Sequence, residues 1–214
     1  MQVLLAIDLA PIVAPGVLMF EDVRVLERDD RMDPAIAETE ARVRAAADLN
    51  EDIGQVRTMY KRLGIDPTKV RPSSEALLRR VRKGEPLPRI NSIVDICNWC
   101  SLETQLPFGL YDLDRIEGEN VTLRVGMDGE GYEGIRKDRV NVEGRITLAD
   151  GSGPFGNPTS DSARTMVTLD ATRVMFVLYC PREHVTHSLE KAMNLTAHRM
   201  LEYTTAREAQ RVML

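Results

Sequence analysis

The stretch of sequence that decides the fold is PRINSIVDICNWCSLETQLPFGLYDLDRIEG, residues 88–118. Its apolar side chains recur at the period of an α-helix, and Pro107 ends that helix because proline cannot continue it. Asn91, Asp95 and Asn98 lie four and then three residues apart, the spacing that places side chains on one helix face. We therefore expect a polar helix face beside a proline turn, an arrangement that suits the wall of a pocket.

The polar residues of this helix have structural explanations beside functional ones. Asp95 follows Ser92 by three residues, which is the spacing of a capping box at the start of a helix. Its carboxylate either caps the helix or contacts a substrate, and if Ser92 is the cap, Asn91 lies outside the helix. Asn98 is not explained by a cap, and asparagine is a poor residue in a helix interior. Its amide therefore either bonds neighbouring backbone or faces a wet pocket.

The composition is that of one globular domain. The 214 residues are 43% hydrophobic and 29% charged, which supplies enough apolar surface for a core. Asp8, Pro11 and Pro15 interrupt the N-terminal apolar stretch, so we predict neither a signal peptide nor a membrane span. Three cysteines, an odd number, argue against a disulfide framework and favour the cytoplasm. One tryptophan and four phenylalanines are too few for an aromatic platform that binds single-stranded nucleic acid.

Basic residues are concentrated in one segment of an acidic chain. The net charge is −5, yet residues 57–89 contain ten basic and three acidic side chains. Such a segment either forms a solvated helix face or attracts a polyanion locally. If the polyanion is RNA, such as tRNA, we expect weak and salt-dependent binding through five residues: Arg71, Arg79, Arg80, Arg82 and Lys83.

Two sets of residues offer metal ligands, but neither is complete. Cys97 and Cys100 form a C-x-x-C pair within the apolar stripe, and His184 and His187 lie three residues apart, with His198 eleven residues further on. Structural zinc needs four ligands at suitable spacing, and no further ligand completes either set. We therefore predict that the cysteines pack in the core, that the histidines lie on a surface helix, and that the protein holds no metal and no cofactor.

The rest of the chain predicts an α/β fold of the α+β type, with a mixed or mainly antiparallel sheet flanked by helices. We expect two strands joined by a turn within residues 1–28 and a helix over residues 34–63. A second helix is expected to start with Ser73 or Ser74 as its N-cap and to end near Gly84. Pro181 is expected to begin a last helix that runs to about Met213 and either covers the sheet or forms a homodimer contact. Four further strands are expected: Val121–Val125, Asn141–Ala149, Thr165–Leu169 and Val174–Tyr179.

Residues 150–163, DGSGPFGNPTSDSA, are too rich in Gly, Pro, Ser and Asp for regular structure. Their glycines match neither a P-loop nor a dinucleotide-binding fingerprint, because the Lys-Ser/Thr pair and the helix start are missing. The loop is either a flexible connection or a functional loop. In the second case it brings Asp161, Ser162 and Thr165 to the pocket.

A further pattern in the opening segment consists of Val94-Asp95, Asn98, Pro107, Tyr111-Asp112 and the run Asp114–Gly118. This pattern resembles the editing domain of the phenylalanyl-tRNA synthetase β subunit, a tRNA-binding domain built from its B-three and B-four modules. The resemblance extends from about residue 71 to residue 181. We therefore expect a single domain over residues 1–214, in which an editing-domain-like core at about 71–181 carries N-terminal strands, a helix and a C-terminal helix as additions.

The resemblance implies where an amino acid would bind. In the family, three elements line the editing pocket: the helix that corresponds to the Asn98 helix, the proline turn, and an acidic residue. The acidic residue recognises the hydroxyl of a bound tyrosine. Two positions depart from the family pattern, since Cys97 stands where threonine is common and Gly109 stands where a histidine contributes to the pocket. No catalytic residue is therefore assigned. The pocket transferred to this chain consists of nine residues: Cys97, Asn98, Pro107, Phe108, Gly109, Tyr111, Asp112, Asp161 and Thr165.

The resemblance implies a free-standing protein that hydrolyses the ester bond of a mischarged aminoacyl-tRNA in trans. The alternative is a non-catalytic module on the same scaffold that binds tRNA or an amino-acid-like ligand, and Gly109 favours it. Ester hydrolysis does not strictly require a side-chain base, since amides, backbone groups and the terminal tRNA hydroxyl can position water. The chain has no ATP-binding or adenylate motif, so we predict that it is not a complete synthetase.

Overall fold

The chain begins with two strands, continues through four helices, and then forms most of its remaining strands. The computed structural model describes residues 1–46, 50–135, 138–184 and 188–214. The helices in these ranges are α1 Asp33–Ala45, α2 Asn50–Arg62, α3 Ser73–Arg82, α4 Ser92–Thr104 and α5 Glu190–Tyr203. The strands are β1 Gln2–Leu5, β2 Val13–Glu21, β3 Phe108–Asp112, β4 Asn120–Val125, β5 Gly131–Glu133, β6 Arg139–Asn141, β7 Ile146–Asp150, β8 Gly153–Gly156, β9 Val174–Pro181 and β10 Arg207–Met213.

The strands form two four-stranded sheets and a short ribbon. The first sheet has the order β1-β4-β7-β8, in which β1 runs parallel to β4 and the other neighbours are antiparallel. The second sheet has the order β10-β2-β9-β3 and is antiparallel throughout. Strands β5 and β6 form the ribbon. The predicted fold class, a mixed and mainly antiparallel sheet with helices, is confirmed, although β1 and β2 belong to different sheets.

Strands β2 and β9 form the centre of the core. All eight residues of β9 are buried, and in β2 only Glu21 is partly accessible. Strands without polar alternation are buried on both faces. Helix α5 packs on β2, where a Cβ atom on Gly16 would lie 2.7 Å from Leu189 Cδ1 and 2.8 Å from Met193 Sδ. Glycine at this position therefore allows the helix to approach the sheet closely.

Helix α4 occupies the place that the opening segment predicts, but its N-terminal cap is different. Asn91 is the N-cap, and its Oδ1 accepts a hydrogen bond of 2.9 Å from the Val94 amide. Ser92 Oγ instead accepts a hydrogen bond of 3.0 Å from the Leu26 amide. The expectation that Ser92 caps the helix is therefore wrong, because a distant segment uses its hydroxyl.

Asp95 is a structural residue that fixes the chain before α4. Its buried carboxylate accepts hydrogen bonds of 2.8 Å from the Ile90 amide and 2.7 Å from Arg89 Nε. Arg89 also pairs with Asp33 at the start of α1. Of the two interpretations of Asp95, the structural one therefore holds, and the three-residue polar face reduces to Asn98.

The predicted helix over residues 34–63 is two helices, α1 and α2. Gly54, a weak position for a helix, lies inside α2, whereas α1 ends at Ala45 and Ala46 has extended backbone. The predicted cap of α3 is also wrong, because Ser73 is already the first helical residue and Pro72 precedes it without a side-chain cap.

The predicted C-terminal helix from Pro181 to Met213 is wrong at both ends. Pro181 is the last residue of β9, and residues 207–213 form β10, which pairs antiparallel with β2. The segment REAQR favours a helix by local propensity, but pairing with a buried strand overrides that preference. The backbone becomes extended at Thr204, the residue that follows α5. The homodimer contact through the C-terminal helix stays a prediction.

The region after β4 also differs from the expectation. Residues 141–149 are not one strand, because the turn around Gly144 separates β6 from β7. Residues 165–169 form no strand. Residues 150–163 do contain regular structure, since β8 pairs with β7 after a tight turn. Within the ranges given above, every helix is too short or too polar to cross a membrane.

Candidate functional site

The Tyr111 ring fills the space beside Gly109, the position where the resemblance implies a histidine. The two residues are two apart in β3, so they lie on one face of the sheet. A Cβ atom on Gly109 would lie 2.2 Å from the Tyr111 hydroxyl oxygen, and so would a Cβ atom on Gly156 in β8. The phenol therefore lies between a glycine of each sheet, and a side chain on either glycine would collide with it.

The Tyr111 hydroxyl donates a hydrogen bond of 2.6 Å to Asp161 Oδ1. The Tyr179 hydroxyl lies 3.4 Å away, and the Phe155 ring packs edge-on with 5.0 Å between the centroids. Tyr111 is fully buried, whereas Asp161 is half-buried. Burial, and then the charge of Asp161, raises the pKa of Tyr111 well above its ordinary value. The phenol therefore stays protonated and acts as a donor.

The Cys97 thiol lies in the electrostatic field of the same carboxylate. Burial, followed by the charge of Asp161, raises the pKa of Cys97 well above its ordinary value. Because the thiolate is the nucleophilic form, a protonated buried thiol serves neither as nucleophile nor as base at neutral pH. Cys100 is also buried, and burial raises its pKa although Arg199 opposes the shift. Both cysteines lie in the core, as the apolar stripe predicts.

Asn98 lies on α4 with its side chain half-buried. In the part of the chain that the structure describes, the side-chain amide of Asn98 forms no hydrogen bond. A buried amide of this kind would be costly, but one that is partly open to water can hold a water molecule or a ligand. Of the two interpretations, a structural amide that bonds neighbouring backbone is therefore not supported.

Pro107 and Phe108 join β3 to its neighbour β9. The Pro107 carbonyl accepts a hydrogen bond of 2.9 Å from the Tyr179 amide. Phe108 is buried and lies opposite Leu178 of β9. These two residues therefore hold β3 in register and give the Tyr111 ring its position.

Asp112 and Thr165 join β3 to the loop that follows β8. The buried Asp112 accepts hydrogen bonds of 3.0 Å from the Asp114 amide and 3.2 Å from Arg115 Nε. Its own amide donates to the Thr165 carbonyl at 2.9 Å. Thr165 is fully buried, and its hydroxyl lies 2.9 Å from the Ser162 hydroxyl. These contacts are structural, so the structure brings Cys97, Gly109, Tyr111 and Asp161 together and gives Asp112 and Thr165 a supporting role.

Sequence reasoning missed the other tyrosines around the loop of residues 157–161. Tyr132 donates a hydrogen bond of 2.5 Å to the Ser160 carbonyl, and the Tyr60 hydroxyl lies 3.1 Å from Thr159 Oγ1. Together with Tyr111 and Tyr179, these are four of the five tyrosines in the chain. The sequence offered a signal for Tyr179, which lies in the apolar run of residues 174–179, since a buried phenol needs a partner. Tyr60 and Tyr132 lie among charged residues and glycines, so no such signal marks them.

A basic groove of about 300 Å³ lies between α2 and α3. At its centre the buried Glu75 carboxylate lies 2.7 Å from Arg57 Nη2, 2.9 Å from Arg79 Nε and 3.7 Å from Arg71 Nε. Burial opposes ionisation of Glu75, but hydrogen bonds and charges from Arg57 and Arg79 hold its pKa below the ordinary value. Arg82 also lines the groove. One carboxylate therefore holds several guanidinium groups together, and the groove keeps an excess of positive charge.

The remaining predicted RNA-contact residues lie at the end of α3. Arg80 pairs with Glu85 at 3.1 Å and donates to the Pro86 carbonyl. Arg82 donates a hydrogen bond of 3.0 Å to the Ala46 carbonyl, and Lys83 is exposed. All five predicted residues are exposed, but Arg80 bonds to the turn after α3 rather than to Glu75.

The described residues contain no group of three His, Cys, Asp or Glu side chains that could hold a metal ion. His198 lies 3.3 Å from Glu202 on the exposed side of α5. The side chains of His184 and His187 lie outside the described part of the structure.

Comparison with known proteins shows what the chain is similar to. The family model described as the B3/4 domain matches residues 55–211, which include the arginines of the basic groove and the Tyr111–Asp161 pair. The phenylalanine–tRNA ligase beta subunit of Fusobacterium nucleatum is 37% identical over 89 residues, which are 40% of this chain and 11% of that protein. The same subunit of Streptococcus pneumoniae is 30% identical over 116 residues, 52% of this chain and 14% of that protein.

A solved structure shares the fold. It is an N-terminal fragment of the phenylalanyl-tRNA synthetase beta subunit from Pyrococcus horikoshii, with a TM-score of 0.51 and 12% identity. The likeness covers 99% of this chain and 53% of that fragment. The chain therefore corresponds to a small part of the curated relatives that it matches.

Proposed function

The chain belongs to the B3/4 domain family, and from this premise we propose that it binds tRNA or aminoacyl-tRNA in trans through the basic groove, without hydrolysing it. The observation that carries the proposal is the cluster of arginines around Glu75 between α2 and α3. The relatives named above are subunits of a ligase that acts on tRNA, which supports tRNA as the polyanion. We also propose that the protein acts in the cytoplasm.

The groove supports binding of phosphate groups. Arg79 contacts Glu75 through Nε, so its terminal nitrogens remain for another ligand, and Arg71 is held within 3.7 Å of the same carboxylate. Guanidinium groups bind phosphate oxygens through paired N–H donors. Because Glu75 fixes these side chains in advance, less conformational entropy is lost when a phosphate binds.

The Tyr111 site supports binding without hydrolysis. A pocket for the amino acid beside Gly109 would need the volume that the Tyr111 ring fills. The neighbouring thiol and phenols are protonated, because burial raises the pKa of Cys97, Tyr111 and Tyr179. None of these groups can activate water at neutral pH.

Hydrolysis of mischarged aminoacyl-tRNA in trans is the second candidate, and Asn98 is the observation that favours it. Its half-buried amide has no hydrogen-bond partner among the described residues, so it can orient a water molecule or an ester carbonyl. The half-buried Asp161 carboxylate can accept a further hydrogen bond from a substrate.

Salt titration tests the tRNA interface. We expect the double variant Arg71→Gln, Arg79→Gln to bind labelled tRNA more weakly and to flatten the slope of log K against log salt by about 1.5. Arg57 stays in both proteins and continues to neutralise Glu75 through two hydrogen bonds, so the fold is retained. The control is Arg207→Gln, a change of an exposed arginine on β10. Equal slopes for the double variant and the wild type would contradict the proposed interface.

A deacylation screen separates the two candidate functions. Purified protein is incubated with a panel of mischarged aminoacyl-tRNAs, and release of the amino acid is followed with time. The proposal expects binding without release from any member. Release by the wild type that is lost in Asn98→Ala and Asp161→Ala would establish the hydrolase instead.

A further inference from the structure

A second cavity is lined by residues 157–160, the loop that precedes Asp161. Its volume is about 70 Å³, much smaller than the roughly 300–1,000 Å³ of pockets for drug-sized ligands. Ile65, Val70 and Ile146 form apolar walls, and Tyr60, Thr159 and Arg145 supply polar groups. The cavity therefore has room for a group of a few heavy atoms and offers it both apolar and polar contacts.

The charge of the cavity comes from Arg145. Its Nη1 donates to the Asn141 carbonyl at 3.2 Å, and no ion pair with a carboxylate is formed in the described ranges of the chain. None of the ten residues that line the cavity is Asp or Glu. Arg145 is half-buried as a residue, and a guanidinium without a counter-ion attracts an anion. An amino acid is a poorer ligand, because its ammonium group would find no carboxylate here.

Hydroxyl groups at the same cavity can bind a second oxygen of the anion. The fully buried Tyr60 hydroxyl lies 3.1 Å from Thr159 Oγ1, and either oxygen is able to donate. Burial raises the pKa of Tyr60 although its hydrogen bond to Thr159 opposes the shift, so the phenol keeps its proton. Asn157 Oδ1 accepts from the amides of Thr159 and Ser160 and fixes the loop. The donors are therefore in place before a ligand arrives.

We propose that this cavity binds the carboxylate of a short aliphatic acid, with Arg145 as the cation and Ile65, Val70 and Ile146 around the aliphatic group. The site shares no lining residue with the groove between α2 and α3, and neither Tyr111 nor Asp161 lines it. The proposal goes beyond the proposed function and does not depend on tRNA binding.

Calorimetric titration with three small probes tests the site. Isobutyrate has both the carboxylate and the short aliphatic group of the proposed ligand. Isobutylamine has a similar aliphatic group with the opposite charge, and inorganic phosphate has negative charge without the aliphatic group. We expect isobutyrate to bind the wild type, and the other two probes to bind at least about tenfold more weakly. Equal binding of isobutylamine, or binding of phosphate without isobutyrate, would overturn the proposal.

Matched variants locate the binding. Arg145→Gln should weaken isobutyrate at least about tenfold. Arg139→Gln, an exposed arginine that also donates to a backbone carbonyl at 3.2 Å, should leave it unchanged. Val70→Phe keeps the charge but fills the cavity, so it should abolish binding. Thermal unfolding confirms that each variant is folded. Wild-type affinity in either Arg145→Gln or Val70→Phe would show that isobutyrate binds elsewhere.

Discussion

Removal of the Tyr111 hydroxyl should measure how strongly the central phenol is held. Tyr111→Phe keeps the ring between Gly109 and Gly156 and its contact with Phe155. It removes the hydrogen bond of 2.6 Å to Asp161 and the longer contact of 3.4 Å with the Tyr179 hydroxyl. A hydrogen bond to a charged group contributes about 1.5–3 kcal/mol to the free energy of unfolding. Because Asp161 is half-buried, water can replace part of this bond, and we expect a loss of about 1.5–2 kcal/mol.

Thermal and urea unfolding measure this loss. For a chain of this size, about 1.5–2 kcal/mol corresponds to a decrease in Tm of roughly 3–8 °C. The control is Tyr132→Phe, which removes a hydroxyl that donates to the neutral Ser160 carbonyl and should lower stability by about 1 kcal/mol. A double-mutant cycle with Asp161→Asn isolates the pair, and we expect a coupling free energy above about 0.5 kcal/mol.

Two results would refute this reasoning. The first is a Tyr111→Phe variant that is as stable as the wild type, since the phenol would then not be held by Asp161. The second is a coupling free energy near zero, because the loss in each single variant would then come from other contacts.

Three further changes test the surrounding structure. Gly109→Ala should lower stability by about 1–3 kcal/mol in urea unfolding, since the added Cβ collides with Tyr111, and a wild-type midpoint would contradict the packing. Asn91→Ala should lower it by about 1 kcal/mol through loss of the α4 cap on Val94, whereas an unchanged midpoint would show that the cap is dispensable. Glu75→Gln should be less stable than the wild type at neutral pH. The difference in the free energy of unfolding should shrink as the pH falls below about 4.5, because Glu75, whose pKa is lowered in the folded protein, stabilises the fold only while it is ionised. A difference independent of pH would argue against an ionised Glu75.

Local sequence determined the elements whose signals are complete within a short window. The apolar period and Pro107 located α4 and its end, because the period of a helix and the missing amide of proline act on neighbouring residues. The unbroken apolar run of residues 174–179 located the buried strand β9 for the same reason. The pattern within residues 94–118 identified the family, since all its positions lie in one short segment.

Only the tertiary structure decided the elements that depend on distant partners. Residues 207–213 have helix-forming sequence but become β10, because the open edge of β2 supplies backbone partners. Ser92 does not cap α4, because the Leu26 amide takes its hydroxyl. The same holds for the site. Glycine in place of the family histidine left the catalytic residue unassigned, but only the structure shows that the Tyr111 ring from the same strand fills the space beside it and bonds to Asp161. Local periodicity predicts which side chains form an apolar face. The position of a ring between two sheets depends on packing against residues that are distant in the sequence.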